Sequence, residues 1–111
     1  MTEARLASGV IVSALIRQTA AAGGHAMVLA KGDEIAGAIL LMLLDRGVPT
    51  GLVERVWRFD GGHGLEAVGP GVEHGPGPVD DYIARRRKSD PDLWVVEIDH
   101  RDAHMVAGRM L

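Results

Sequence analysis

Six aliphatic residues in a row, Ile39-Leu40-Leu41-Met42-Leu43-Leu44, constrain this chain more than any other feature. Apolar and polar positions do not alternate here, so a strand built from the run has no face to give to water. The run is far short of the roughly 20 apolar residues that a membrane-spanning helix needs. It reads as a central strand buried on both sides, and the fold must supply two layers of cover. A chain of 111 residues suits one such core, since domains commonly hold about 100–150 residues. We therefore read residues 1–111 as a single domain.

Periodicity places the other elements around this strand. Between residues 8 and 22, Val12, Leu15, Ile16, Thr19 and Ala20 share one helical face, with Ser8 as N-cap and Gly23-Gly24 as the stop. Residues 25–30 read as a strand paired with 37–44 through the turn Lys31-Gly32-Asp33-Glu34. Residues 45–51 read as a loop, and 52–59 as a third strand. Val53, Arg55, Trp57 and Phe59 share one side of it; Leu52, Glu54, Val56 and Arg58 share the other. The composition then shifts. Seven of the 15 glycines lie between Gly61 and Gly77, and residues 61–78 read as a Gly/Pro-rich loop with at most a short strand at 65–68. A second helix over 79–88 has Pro78 at its mouth, acids early and Arg85-Arg86-Arg87-Lys88 late, which matches the helix dipole. After the break at Asp90-Pro91-Asp92, residues 93–99 form the clearest strand. Leu93, Val95 and Glu97 face one way; Trp94, Val96 and Ile98 face the other. Trp57, Phe59, Tyr82 and Trp94 could then join in an aromatic cluster.

Composition removes several function classes. Without cysteine, disulfide scaffolds, thiolate zinc sites and thiol nucleophiles are excluded, and the composition fits the cytoplasm. The net charge of −3 is unlike the basic footprint of a general nucleic-acid binder. No membrane segment is expected, and the start of the chain lacks the cationic lead of a secretory signal.

Asp90-Pro91-Asp92-Leu93-Trp94-Val95-Val96-Glu97-Ile98 behind a charged helix resembles the signature of an uncharacterised alphaproteobacterial family, domain of unknown function 1491. Val12-Ser13-Ala14-Leu15-Ile16-Arg17 with Ala22-Gly23-Gly24, then Lys31-Gly32-Asp33 with Ala36-Gly37-Ala38, is similar to its N-terminal half. The resemblance spans about residues 10–100. It implies a small bacterial cytoplasmic protein of mixed α and β content, and it implies no catalytic residue, substrate or cofactor.

The chemistry-bearing residues give weak candidates. Lys31, Asp33 and Glu34 sit at a turn, where side chains can bind a ligand or orient water, although Gly-Asp is also ordinary turn chemistry. Asp90, Asp92 and Glu97 offer carboxylates for acid–base work. Asp90 and Asp92 equally suit caps around Pro91, and Glu97 within an apolar strand equally suits an ion pair with Arg55 or Arg58. His100 and His104 have the spacing of two ligands on a helix, but Arg101 stands where the metalloprotease motif has its Glu. Solvated charge after a strand is the plainer reading. His63 and His74 lie in the glycine-rich loop. Arg85, Arg86, Arg87 and Lys88 could grip phosphate, yet a helix spreads four successive residues around its circumference. No nucleophile elbow, P-loop or complete dinucleotide fingerprint is present.

The expected fold is α+β, with two helices packed on one face of a four- to five-stranded, mostly antiparallel sheet in the order α-β-β-β-β-α-β. The other face of 39–44 would then need a second copy, so a homodimer is expected. The expected function is a non-enzymatic interaction or regulatory module without cofactor. The alternatives are a small carboxylate-dependent hydrolase or transferase, and a phosphate or nucleic-acid binder through Arg85–Lys88.

Overall fold

The computed structural model describes residues 6–57 and 62–110. Its elements are α1 (Ser8–Ala21), β1 (His25–Ala30), β2 (Ile39–Asp45), β3 (Val48–Trp57), β4 (His63–Ala67), α2 (Pro76–Ser89), β5 (Trp94–Asp99) and α3 (Ala103–Met110). A single 3-10 turn, Val72–His74, precedes α2. The α+β class holds, and a third helix joins the two expected. It forms where solvated chain was expected, after the last strand. Ala103, Val106 and Ala107 fall at i, i+3 and i+4 and are buried, a stripe short enough for the neighbouring His100, Arg101, Asp102 and His104 to hide.

The five strands lie in the order β1-β5-β2-β3-β4. β1 and β2 are not the hairpin that their spacing suggests. β5 lies between them, antiparallel to β1 and parallel to β2, so one parallel pair sits in a mostly antiparallel sheet. Burial explains the insertion. Among the described strands β2 and β5 are apolar and buried on both faces along nearly their whole length, and only the middle of a covered sheet hides both. A hairpin neighbour with one wet face goes to the edge. In β1, His25, Met27 and Leu29 are exposed and alternate with half-buried Ala26, Val28 and Ala30.

The helices divide between the two faces, unlike the expected pair on one side. α1 and α3 bring Ile11, Val12, Leu15, Ala103 and Ala107 onto Ile39, Leu41, Leu43, Val96 and Ile98. α2 brings Val79, Tyr82 and Ile83 onto Leu40, Met42, Leu44, Leu52 and Val95. Both faces of the aliphatic run are thus covered by its own chain, and the homodimer loses the uncovered face that argued for it. The expected aromatic cluster does not form among the described residues, since Tyr82 and Trp94 pack on opposite faces. Arg58 and Phe59 lie outside the described residues.

The Gly/Pro-rich stretch is more regular than a loop. It carries β4, the 3-10 turn and the first residues of α2, which starts at Pro76 and not at Val79. Prolines are well suited to a first helical turn, whose N–H groups have no partner within the helix.

Three polar contacts tie these layers together. The first is at the β2–β3 connection, expected as a loop and in fact a two-residue turn. Arg46 (φ 52°) and Gly47 (φ 80°) both take left-handed backbone, the twist that suits a tight hairpin. Gly adopts it freely; Arg does so at a cost. The Asp99 carboxylate, at the end of β5, accepts both turn N–H groups at 2.9 and 2.8 Å. The second is His100. Its Nδ1 accepts the Asp102 N–H at 2.8 Å, and its Nε2 donates to the Ala22 carbonyl at 3.0 Å. One neutral ring therefore caps the approach to α3 and holds the end of α1. The third is an ion pair. Arg86 of α2 meets Glu54 of β3 through two hydrogen bonds, 2.7 and 3.1 Å, and also donates to the Tyr82 hydroxyl at 2.9 Å. The bond to Glu54, against the opposing effect of partial burial, pushes the Arg86 pKa above its already high ordinary value. The guanidinium stays charged at any pH where the fold exists.

The forked pair should be worth about 1–3 kcal/mol as a coupling energy between Glu54→Gln and Arg86→Met, measured by urea unfolding of the two single variants and the double. A coupling near zero would mean that α2 is held by apolar contact alone. Asp99→Ala should cost about 1 kcal/mol and speed amide exchange at Arg46 and Gly47. Unchanged exchange there would show that the turn holds itself.

Candidate functional site

The sequence candidates separate once the chain is folded. Lys31 and Glu34 pair with each other at 3.0 Å on the surface, and the Glu34 carboxylate lies over the bare backbone of Gly9, where a Cβ would collide with it. Asp33 serves its own turn, accepting the N–H groups of Ile35 and Ala36 at 3.1 and 2.8 Å. Asp90 accepts the Asp92 N–H at 3.2 Å, as a cap around Pro91 should. Backbone joins these two acidic groups. Asp33 N–H donates to the Asp92 carbonyl at 3.0 Å, and the Trp94 indole N–H donates to the Asp33 carbonyl at 2.7 Å. Glu97 lies on the α2 side between Met27 and Met42. Its expected partner Arg55 is on the opposite face, so that pair does not form; the ion pair on the α2 side is Glu54–Arg86.

Two of the basic candidates also have structural work. Arg87 donates to the carbonyls of Pro91 and Leu93 at 2.8 and 2.7 Å. With Arg86 held by Glu54, two of the four cations at the end of α2 are occupied. His100 precedes α3 and His104 lies within it, so they do not share a helical face as ligands. Among the described residues no three His, Asp or Glu side chains gather to hold a metal.

A concave site forms elsewhere, and topology is the reason. α1 lies over β1 and against α3, and α3 reaches β2. Among the described residues no helix covers the Arg55–Trp57 end of β3 and its β4 partner on that side. Val53, Arg55 and Trp57 alternate toward it, as the sequence predicts for one side of β3. The opposite wall comes from loop 33–38, which is fastened to the start of α1. Ser8 N–H and Gly9 N–H donate to the carbonyls of Ile35 and Glu34 at 3.1 and 2.9 Å, and the Ser8 hydroxyl donates to the Gly37 carbonyl at 2.6 Å. Ser8 is therefore the first helical residue and not the N-cap; loop carbonyls satisfy the orphan N–H groups of the first turn.

Between these walls lies a cleft of about 430 Å³, lined by Leu6, Ile35, Ile39, Arg55, Trp57 and His63 among others. That volume is in the range of small-molecule sites, roughly 300–1,000 Å³. Leu6, Ile35 and Trp57 are 68%, 71% and 51% exposed, so three large apolar side chains stand at one opening. Trp57 and His63 are cross-strand partners of β3 and β4, with ring centroids 4.7 Å apart and planes at 77°. Arg55 is half-buried, and its guanidinium donates to His63 Nδ1 at 3.0 Å. Because arginine only donates, Nδ1 must be an acceptor and the neutral ring carries its proton on Nε2. Sequence reading placed Arg55 as a partner for Glu97 and His63 as a loop residue. The signal that locates them is the alternation Val53, Arg55, Trp57, which sets a cation on a face otherwise meant for the core.

Comparison with known proteins agrees with this architecture. No curated protein matches the chain. Among solved structures, a crystal structure of a DUF1491 family protein from Caulobacter crescentus is 36% identical, covering 92% of this chain and 94% of that one, with a TM-score of 0.78. An NMR structure of a DUF1491 family protein from the same organism is 36% identical over 94% of both chains, with a TM-score of 0.75. The solution structure of protein Atu0922 from A. tumefaciens is 32% identical, covers 93% of this chain and 92% of that one, and has a TM-score of 0.71. The family model described as "Protein of unknown function (DUF1491)" matches residues 6–107, and the chain belongs to that family.

Proposed function

We propose that this protein is a non-enzymatic binding module of the bacterial cytoplasm and that the cleft between loop 33–38 and the β3–β4 ribbon is its binding site. The observation that carries the reading is the concentration of exposed Leu6, Ile35 and Trp57 around one concave site. Clustered apolar exposure next to a Trp and an Arg is what binding surfaces select. The dispersal of Lys31, Asp33, Glu34, Asp90 and Glu97 into separate backbone and surface roles weighs against the hydrolase or transferase alternative. The occupied Arg86 and Arg87 weigh against a phosphate or nucleic-acid grip by α2. The cysteine-free composition suits a reducing compartment, and among the described residues no helix is long and apolar enough to cross a membrane.

A neutral flat probe, 1-naphthaleneacetamide, followed by amide chemical shifts tests the site. Shifts should cluster at residues 35–39, 55–57 and 63, and Trp57→Ala should weaken binding about tenfold, the scale of a lost aromatic anchor. Shifts scattered over the surface, or binding indifferent to Trp57→Ala, would remove the cleft as the site.

A second surface supports the homodimer on grounds other than an uncovered face. β1 is an edge strand without Pro, Asp, Glu, Lys or Arg in its six residues, and Met27 and Leu29 on it are 55% and 46% exposed. Edge strands that stay single normally carry such protection. Two copies pairing β1 antiparallel about a two-fold axis would shelter both edges. Light scattering at micromolar concentration should give twice the chain mass, returning to one chain mass in Leu29→Lys. A strict monomer for the unchanged protein would exclude this arrangement.

A further inference from the structure

We propose that a second site, on the α2 side of the sheet, binds a small uncharged molecule whose apolar body is the size of a single ring. It is separate from the cleft beside loop 33–38, which lies on the opposite face. The site is a pocket of about 250 Å³ where the first turn of α2 meets the β2–β3 hairpin. Met42 of β2, Val48 and Pro49 of β3, Val72 of the 3-10 turn, and Pro76 and Val79 of α2 form its walls. Met42 and Val79 are buried and make the floor; Val48, Pro49 and Pro76 are exposed and make the rim. Gly75 completes the wall, and nothing stands within 4 Å of the place its Cβ would take. Its backbone is left-handed there (φ 90°), a conformation that glycine holds freely and a bulkier residue would hold at a cost. The space beside it stays open for that reason.

The walls set the class of ligand. Among the described lining residues, Asp80 is the one whose side chain carries nitrogen or oxygen, and it is exposed. A water needs about two to four polar partners to settle in a cavity, and dry apolar cavities of about 150 Å³ take a benzene-sized molecule instead. A helix start ordinarily brings several unpaired N–H groups to such a place and attracts an anion. Here that supply is cut. Pro76 and Pro78 have no N–H, and the Gly75 N–H is taken by the Val72 carbonyl at 3.1 Å. Size does the rest. A pocket of about 250 Å³ lies just below the roughly 300–1,000 Å³ of ordinary small-molecule sites, so its occupant is a ring or a short branched chain and not a polypeptide segment.

The test titrates the full chain with toluene, benzoate and benzylamine and follows methyl chemical shifts. Toluene should move the methyl signals of Met42, Val48, Val72 and Val79 through its ring current, and those of Ile35 and Ile39 much less. Benzoate should bind at least about tenfold more weakly than toluene, since its charge would be desolvated without donors. Benzylamine should bind no more tightly than toluene, because water and salt screen an exposed carboxylate. Val72→Phe puts a ring into the space and should weaken toluene about tenfold, the scale of losing part of one ring's apolar burial. Val48→Phe fills the pocket from its exposed rim, should weaken toluene in the same direction, and carries the test if the first variant does not fold. Absence of toluene shifts in the unchanged protein, or shifts confined to Ile35 and Ile39, would overturn this second site and leave the cleft reading standing. Toluene affinity untouched by both substitutions would overturn it too. Tighter binding of benzoate or benzylamine than of toluene would overturn the uncharged class of ligand.

Discussion

The parallel contact between β2 and β5 is the constraint on which the rest of the structure depends. Each strand presents apolar side chains on both faces, so together they need two full layers of cover. α1 and α3 provide one and α2 the other. The parallel direction follows from the route between them. The chain leaves β2 by a hairpin, forms the β3–β4 ribbon, crosses the α2 face and returns to enter β5 in the same sense as β2. A parallel neighbour requires such a crossover, and a helix usually supplies it.

That arrangement also explains the structural contacts made by several polar groups that the sequence singles out. β5 ends against the β2–β3 turn, and Asp99 meets the turn's N–H groups there. The loop before β5 meets the loop before β2, and Asp33, Asp92, Trp94 and Arg87 stitch the two together. Buried and half-buried polar groups need partners when elements of distant sequence are pressed edge to edge. The cleft arises on a part of the α1 side that no described helix covers.

Much of this was legible from residue order. The aliphatic run, the alternating face of β3, the helix over Val12–Thr19 and the strand at 93–99 all follow from local period. Neighbour choice does not. His25–Ala30 and Ile39–Asp45 carry every mark of a hairpin, and only the competition for the sheet centre, a property of the whole chain, moves β5 between them. The turn at Arg46-Gly47 is hidden in the sequence because Arg is a poor left-handed residue, and the carboxylate that accepts its N–H group is 53 residues away. α3 is hidden because its buried stripe is three small or medium residues. Sequence alone makes Arg55 a plausible structural cation for Glu97. The two lie on opposite faces of the sheet, and a face assignment across non-neighbouring strands cannot be read from either strand alone.

The insertion of β5 has a consequence for synthesis. A ribosome that has made the first 90 residues has released β1 and β2 without the strand that joins them. Until Trp94–Asp99 leaves the exit tunnel, β1 has no partner and one flank of β2 is bare, while α1 lacks the floor supplied by Val96 and Ile98. Long-range pairing of this kind delays closure of the core until β5 has been made. The segment through residue 45 must therefore remain unaggregated while it waits, and the charged segment 31–34 between its two apolar strands is placed where it would keep them apart.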